Sequence, residues 1–86
     1  MNKVTITLFT ADGCPHCEAG RLFLQSQGVD YLERTVMTDA TAMQDMLYLL
    51  GRAEVPALYA GYQAAIGFDE PRWLEVLAHV REIERE

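Results

Sequence analysis

Residues 3–36 are predicted to form a strand, a helix and a second strand, and this order constrains the fold more than any other feature of the chain. The run KVTITLF at 3–9 alternates polar and apolar residues, which predicts a strand. Apolar residues recur at helical spacing over 15–27, and DYLERTV at 30–36 predicts the second strand. Consecutive strands joined through a helix require a crossover connection, so we expect these two to be parallel.

The middle of the chain predicts another helix and a hairpin. Thr38 or Asp39 can cap a helix that ends at Gly51. The runs PALYA at 56–60 and AAIGF at 64–68 are separated only by GYQ, which favours two antiparallel strands joined by a tight turn.

A last helix is predicted after Asp69, with Pro71 in its first turn. Its apolar stripe consists of Trp73, Val76, Leu77 and Val80. The order β-α-β-α-β-β-α predicts an α/β fold with a four-stranded mixed sheet flanked by helices. At 86 residues the chain is expected to be a single domain, 1–86, and a monomer.

Charge and hydropathy exclude several partners. The net charge of −6 disfavours nucleic-acid binding, which needs a basic patch. No apolar run approaches the roughly 20 residues that cross a bilayer, so we expect no membrane partner. The start MNKVTITLFT contains no uninterrupted apolar segment, so we expect no signal peptide and a cytoplasmic location.

The segment TADGCPHCEAG contains both cysteines of the chain, Cys14 and Cys17, separated by Pro15 and His16. A structural disulfide is not expected in the cytoplasm, and one closing so short a loop would add little stability. Cys14 falls at the predicted helix start, where free N–H groups and the helix dipole stabilise a thiolate. Cys17 lies one turn further along and deeper, so the pair suits thiol–disulfide exchange.

His16 has two interpretations. Its imidazole can stabilise the Cys14 thiolate through a hydrogen bond or a positive charge, which makes the disulfide a stronger oxidant. Alternatively, it is a solvent-facing residue without a redox role. The local charge is balanced, because residues 1–29 contain Lys3 and Arg21 against Asp12 and Glu18.

Pro56 follows Val55 at the start of a predicted strand. A trans proline there would only delimit the strand. A cis Val55–Pro56 bond would instead turn the Val55 backbone toward the cysteine pair and offer it to a substrate chain. The residues alone leave both possibilities open.

A metal-binding or iron–sulfur carrier module is the alternative function. Cys14, Cys17 and His16 are soft ligands, and small copper carriers also place a CxxC before a helix. Those carriers have the order β-α-β-β-α-β, however, and Pro15 stiffens the loop here. Two cysteines also supply only half the ligands of an iron–sulfur cluster, so a cluster would need two chains. We therefore expect no resident metal.

Three segments, LFTADGCPHC, EVPALYAG and AIGFDEPRWLEVL, together resemble the glutaredoxin family of the thioredoxin fold in order and spacing. The resemblance covers essentially the whole chain. It implies a dithiol–disulfide oxidoreductase without a tightly bound cofactor, acting on protein or mixed disulfides. It also implies that Cys14 is the nucleophile, that Cys17 is the resolving cysteine and that the Val55–Pro56 bond is cis.

The resemblance further implies that Val55 and Pro56 position the substrate. Gly67 and Phe68, with Asp69 after them, would form the far wall of the binding groove.

The chain departs from glutathione-using members at three places. Where they have a lysine before the cysteines, this chain has Ala11 and Asp12; where they have Thr before Val-Pro, it has Glu54. The Gly-Phe at 67–68 replaces a Gly-Gly pair and resembles redoxins that serve ribonucleotide reductase. The resemblance therefore implies thioredoxin reductase as electron source, with glutathione as the alternative.

Overall fold

The computed structural model describes residues 3–85, and its elements follow the predicted order β-α-β-α-β-β-α. The strands are β1 (Thr7–Thr10), β2 (Leu32–Thr35), β3 (Ala57–Ala60) and β4 (Gln63–Ile66). The helices are α1 (Pro15–Ser26), α2 (Ala40–Leu50) and α3 (Glu70–Arg85). None of the helices within this described part of the chain is long and apolar enough to cross a bilayer.

The four strands form one mixed sheet in the order β2-β1-β3-β4. Strands β1 and β2 are parallel, with Thr10 opposite Thr35, as the crossover through α1 requires. Strand β3 pairs antiparallel with both β1 and β4. The predicted mixed sheet is confirmed, and the carboxyl end of β1 leads directly to the cysteine segment.

Strand β1 is shorter than predicted, because it begins at Thr7 rather than at residue 3. The preceding residues remain tied to the fold by single hydrogen bonds. The Ile6 carbonyl accepts from the Leu32 N–H at 2.8 Å. The Val4 N–H donates to Glu84 Oε2 of α3 at 3.1 Å.

The hairpin turn is also tighter than the predicted GYQ linker. Gly61 and Tyr62 alone form it, with φ angles of 56° and 66°, so β4 begins at Gln63. Two successive residues with positive φ have the backbone twist that joins antiparallel strands most closely.

Helices α1 and α3 cover one face of the sheet, and α2 covers the other. The core under α1 and α3 contains Ile6, Leu8, Phe23, Leu24, Leu58, Ala60, Ala65, Trp73, Val76, Leu77 and Val80. The core under α2 contains Phe9, Val36, Ala42, Met46 and Ala57. All four residues of the predicted α3 stripe are buried, as expected.

Two leucines that fall at helical apolar spacing in the sequence are exposed. Leu22 of α1 is 57% exposed and Leu47 of α2 is 47% exposed. In α1 the inward positions belong to Gly20, Phe23 and Leu24, with Cys17 one turn earlier. Leu22 lies about 200° around the helix from Gly20 and therefore faces solvent.

Candidate active site

Cys14 is the N-cap residue of α1, as the sequence predicted. Its backbone is extended, with φ −104° and ψ 105°, and Pro15 occupies the first turn. The Cys14 carbonyl accepts from the N–H groups of Cys17 and Glu18 at 3.1 and 3.2 Å. The Cys17 N–H also donates to Cys14 Sγ at 3.1 Å. A backbone donor and the positive end of a helix therefore both act on the Cys14 sulfur, and both stabilise a thiolate.

The two cysteines form a disulfide but differ in their access to solvent. Their Cα atoms are 5.2 Å apart, within one turn at the start of α1. Cys14 lines an open surface depression of about 440 Å³. Cys17 is completely buried, with 0% of its surface exposed. An incoming thiol or disulfide can therefore reach the Cys14 sulfur and not the Cys17 sulfur.

The His16 side chain is exposed to solvent. Within residues 3–85 its imidazole makes no hydrogen bond, including none to the Cys14 sulfur. Pro15 is exposed as well. The hydrogen bond between His16 and Cys14 considered above is absent from this oxidised state.

The Val55–Pro56 peptide bond is cis, which confirms that prediction. Pro56 is buried, and its carbonyl accepts from the Gly67 N–H at 2.7 Å. The Val55 side chain packs against the core under α2. Its own backbone N–H and C=O have no partner among the described residues.

Gly67 and Phe68 connect this loop to α3 and α1. Gly67 has φ 80°, and its carbonyl accepts from Trp73 Nε1 at 2.9 Å. The Phe68 ring makes edge contacts with Phe23 and Trp73, at centroid distances of 5.8 and 5.0 Å. Asp69 is exposed, and its carbonyl accepts from the Trp73 N–H at 2.9 Å. This segment is thus held by the same core that supports helix α1.

Arg21 lines the Cys14 depression, and its guanidinium is paired with two carboxylates. Its Nε donates to both oxygens of Glu33 at 3.0 and 2.9 Å, and its Nη1 donates to Glu18 at 2.8 Å. The hydrogen bond to Glu33 raises the pKa of Arg21, and an arginine side chain is positively charged at physiological pH in any case. The buried Thr10 hydroxyl donates to Glu33 Oε2 at 2.8 Å. This network joins β1, β2 and α1.

No local pattern in the sequence marks Thr10, at the start of the cysteine segment, or Glu33, in the second strand, as part of a network with Arg21. The parallel pairing of β1 with β2 brings both toward Arg21. Lys3, which balanced the charges of residues 1–29, lies instead beside Val4 and Asp30, before the start of β1. The surroundings of Cys14 are therefore acidic rather than neutral.

Across residues 3–85, no group of three or more His, Cys, Asp or Glu side chains is arranged to hold a metal ion.

A CxxC pair at the first turn of α1, on a four-stranded mixed sheet with three helices, defines the thiol–disulfide oxidoreductases of thioredoxin-like fold. The family model for glutaredoxin matches residues 6–64. The chain therefore belongs to the glutaredoxin family and is a small thiol–disulfide oxidoreductase.

Individual relatives agree with this assignment. Glutaredoxin 3 of Escherichia coli is 28% identical over 65 residues, which cover 76% of this chain and 78% of the relative. The crystal structure of a thioredoxin-like protein is 26% identical, with a TM-score of 0.81 over 85% of this chain and 99% of the other. The crystal structure of a buckwheat glutaredoxin–glutathione complex has a TM-score of 0.71 at 15% identity, covering 92% of this chain and 78% of the other. At that identity the likeness concerns the fold alone.

Proposed function

We propose that Cys14 and Cys17 pass two electrons to protein or mixed disulfides, with Cys14 as the nucleophile and Cys17 as the resolving thiol. The observation that carries this assignment is the difference in exposure: Cys14 lines an open depression, whereas Cys17 is completely buried. The N-cap position of Cys14 supports it, because the thiolate is the attacking species and a helix start stabilises it.

In the proposed reaction the Cys14 thiolate attacks one sulfur of the substrate disulfide. The substrate S–S bond breaks, one substrate sulfur leaves as a thiolate and takes a proton, and a mixed disulfide forms at Cys14. The Cys17 thiol then loses its proton and attacks Cys14 Sγ. The second substrate thiol is released, so the substrate gains two electrons and the protein is left with the Cys14–Cys17 disulfide.

Val55 and Pro56 are proposed to position the substrate chain. The unpaired backbone groups of Val55 can hydrogen bond with an extended polypeptide, as strand-adding ligands do. The opposite wall of the binding groove is proposed to consist of Gly67, Phe68 and Asp69. The Gly67 N–H donates to the Pro56 carbonyl, which holds this segment next to the Val55–Pro56 loop. The rigid contacts of Phe68 with the core support that role.

For the reductant we propose thioredoxin reductase rather than glutathione. The buckwheat relative was crystallised with glutathione. In this chain, however, the guanidinium in the Cys14 depression is already occupied by Glu33 and Glu18. Asp12 lines the same depression, and Glu54 immediately precedes Val55. Asp12, which has no partner among the described residues, would repel a glutathione carboxylate, and Glu54, paired with Arg52, offers no positive charge to attract one.

The proposal treats residues 1–86 as a single domain that acts as a monomer, without a tightly bound cofactor. It also places the protein in the cytoplasm, because a pair that must return to the dithiol state needs a reducing compartment.

Trapping of the mixed disulfide tests the two cysteine roles. The reduced Cys17→Ser variant, mixed with a disulfide-linked peptide dimer, is expected to accumulate a stable one-to-one peptide adduct, visible by mass spectrometry. The matched Cys14→Ser variant is expected to form none, because Cys17 is buried. Adducts on both variants, or on Cys14→Ser alone, would contradict the assignment.

A further inference from the structure

The depression around Cys14 carries excess negative charge. Asp12, Glu18 and Arg21 line it, and Glu33 pairs with the Arg21 guanidinium at 2.9 Å. Three carboxylates against one guanidinium leave two uncompensated negative charges on the side chains that line this depression or pair with its arginine. Because Arg21 Nε and Nη1 already donate to these carboxylates, it offers little to an anionic ligand.

The two carboxylates that face the depression are available to a ligand. Glu18 shares an ion pair with Arg21 at 2.8 Å, yet its side chain remains 60% exposed. Asp12 is exposed, and within the described residues its carboxylate takes part in no hydrogen bond or ion pair. An unpartnered carboxylate beside a reactive sulfur can pair with a cation on an incoming chain without breaking an existing contact.

Charges elsewhere around the site do not offset this excess. Glu54, before Val55, pairs with Arg52 at 2.7 Å, so this part of the surface is neutral overall. Arg72 donates to the Ala64 carbonyl at 3.1 Å, on strand β4. The negative character is therefore concentrated on the α1 side of Cys14.

We propose that Asp12 and Glu18 are specificity-determining residues, and that the protein selects disulfides on polypeptide segments with lysine or arginine next to the attacked cysteine. This proposal rests on the proposed role of Cys14 as nucleophile. Opposite charges around a binding site accelerate encounter and align the partner, and like charges suppress the wrong partner. A basic segment would place its cation over Asp12 while its disulfide meets the Cys14 sulfur.

The test uses two disulfide-linked peptide dimers of equal length that differ only in having Lys or Glu on both sides of the cysteine. The rate constant for oxidation of the reduced protein is measured with each dimer by acid quenching and chromatographic separation of the released peptide thiol, because the exchange leaves the total number of thiols unchanged. Each rate is divided by the rate at which dithiothreitol, whose only charge is that of its attacking thiolate, reduces the same dimer. This step removes the effect of the flanking charges on the reactivity of the disulfide itself.

At low ionic strength the Lys dimer is expected to react about fivefold faster than the Glu dimer after this correction. In about 1 M salt, where the screening length falls to about 3 Å, the ratio is expected to approach one. Asp12→Asn is expected to lower the low-salt ratio about twofold. The matched control Glu75→Gln removes an exposed carboxylate from α3 and is expected to leave the ratio unchanged.

Equal corrected rates for the two dimers at low salt would overturn the proposed charge selection but not the proposed role of Cys14. An equal change of the rate ratio in Asp12→Asn and Glu75→Gln would also overturn the proposed charge selection. If neither dimer oxidises the protein, the role of Cys14 as nucleophile fails as well, so the two failures are distinguishable.

Discussion

The indole of Trp73 lies directly against Gly20, where helix α1 has no side chain. A Cβ atom built on Gly20 would be 2.7 Å from Trp73 Cη2 and 3.1 Å from Cζ3. Both residues are buried in the core under α1 and α3. The same indole donates to the Gly67 carbonyl and contacts Phe68, so this packing also supports the proposed substrate wall.

Gly20→Ala is expected to destabilise the protein. In a free helix the exchange would gain about 0.5–1 kcal/mol, because glycine is the more flexible residue. Here the methyl group overlaps a fully buried ring, and overpacking costs about 1–3 kcal/mol. Urea unfolding is expected to show a net loss of about 1–2 kcal/mol in the free energy of unfolding.

Trp73→Phe provides the control for this effect. In the smaller-ring background Gly20→Ala is expected to cost less, and a double-mutant cycle separates this coupling from the lost hydrogen bond to Gly67. A Gly20→Ala protein as stable as the parent would contradict the packing argument.

Asp39, rather than Thr38, caps helix α2, since its Oδ1 accepts from the Thr41 and Ala42 N–H groups at 3.0 and 3.2 Å. Asp39→Ala is therefore expected to lower the free energy of unfolding by about 1 kcal/mol. Thr38→Ala, one residue earlier, is expected to change it by less than about 0.5 kcal/mol. Similar losses in both variants would show that the side-chain cap contributes nothing specific.

His16→Tyr is expected to make the protein a weaker oxidant. An imidazole in the first turn of α1 can approach the Cys14 thiolate once the disulfide is reduced, and stabilising that thiolate favours the reduced protein. Its loss should lower the midpoint potential by up to about 30 mV. Redox equilibration measures the change, with His79→Gln on α3 as control. An unchanged potential would make His16 a solvent-facing residue without a redox role.

Thioredoxin reductase is expected to recycle the oxidised protein faster than glutathione with its own reductase. NADPH consumption in the two coupled assays, with the same peptide dimer as substrate, measures both rates. Glu54→Thr is expected to raise the glutathione rate, because it removes the carboxylate that pairs with Arg52 and leaves the Arg52 guanidinium free near Val55. Efficient turnover of the parent protein by glutathione at physiological concentration would overturn this prediction.

Much of the fold could be predicted because its determinants are local. The alternation in 3–9, the helical stripe from Trp73 to Val80 and the cap before α2 each act over a few residues. The position of Cys14 at the helix start followed from the same local pattern. Even where strand bounds shifted, the order of elements and the parallel pairing remained as predicted.

The details that depend on distant partners could not be predicted. A single glycine within a helical pattern can mark a position where another residue packs close to the helix backbone. Nothing in the sequence of α1 indicates that this residue is Trp73. The exposure of Leu22 follows from that same inward placement of Gly20. Likewise, Glu33 reaches Arg21 only after β1 and β2 have paired.

The complete burial of Cys17 has a kinetic consequence. In the proposed mechanism electron donor and electron acceptor both react at the Cys14 sulfur, because Cys17 is not accessible from solvent. The electron donor and the electron acceptor therefore bind the same surface around Cys14, and only one of them can bind at a time. Each turnover is then a strict alternation of two half-reactions, in which no ternary complex forms and an excess of either partner obstructs the other.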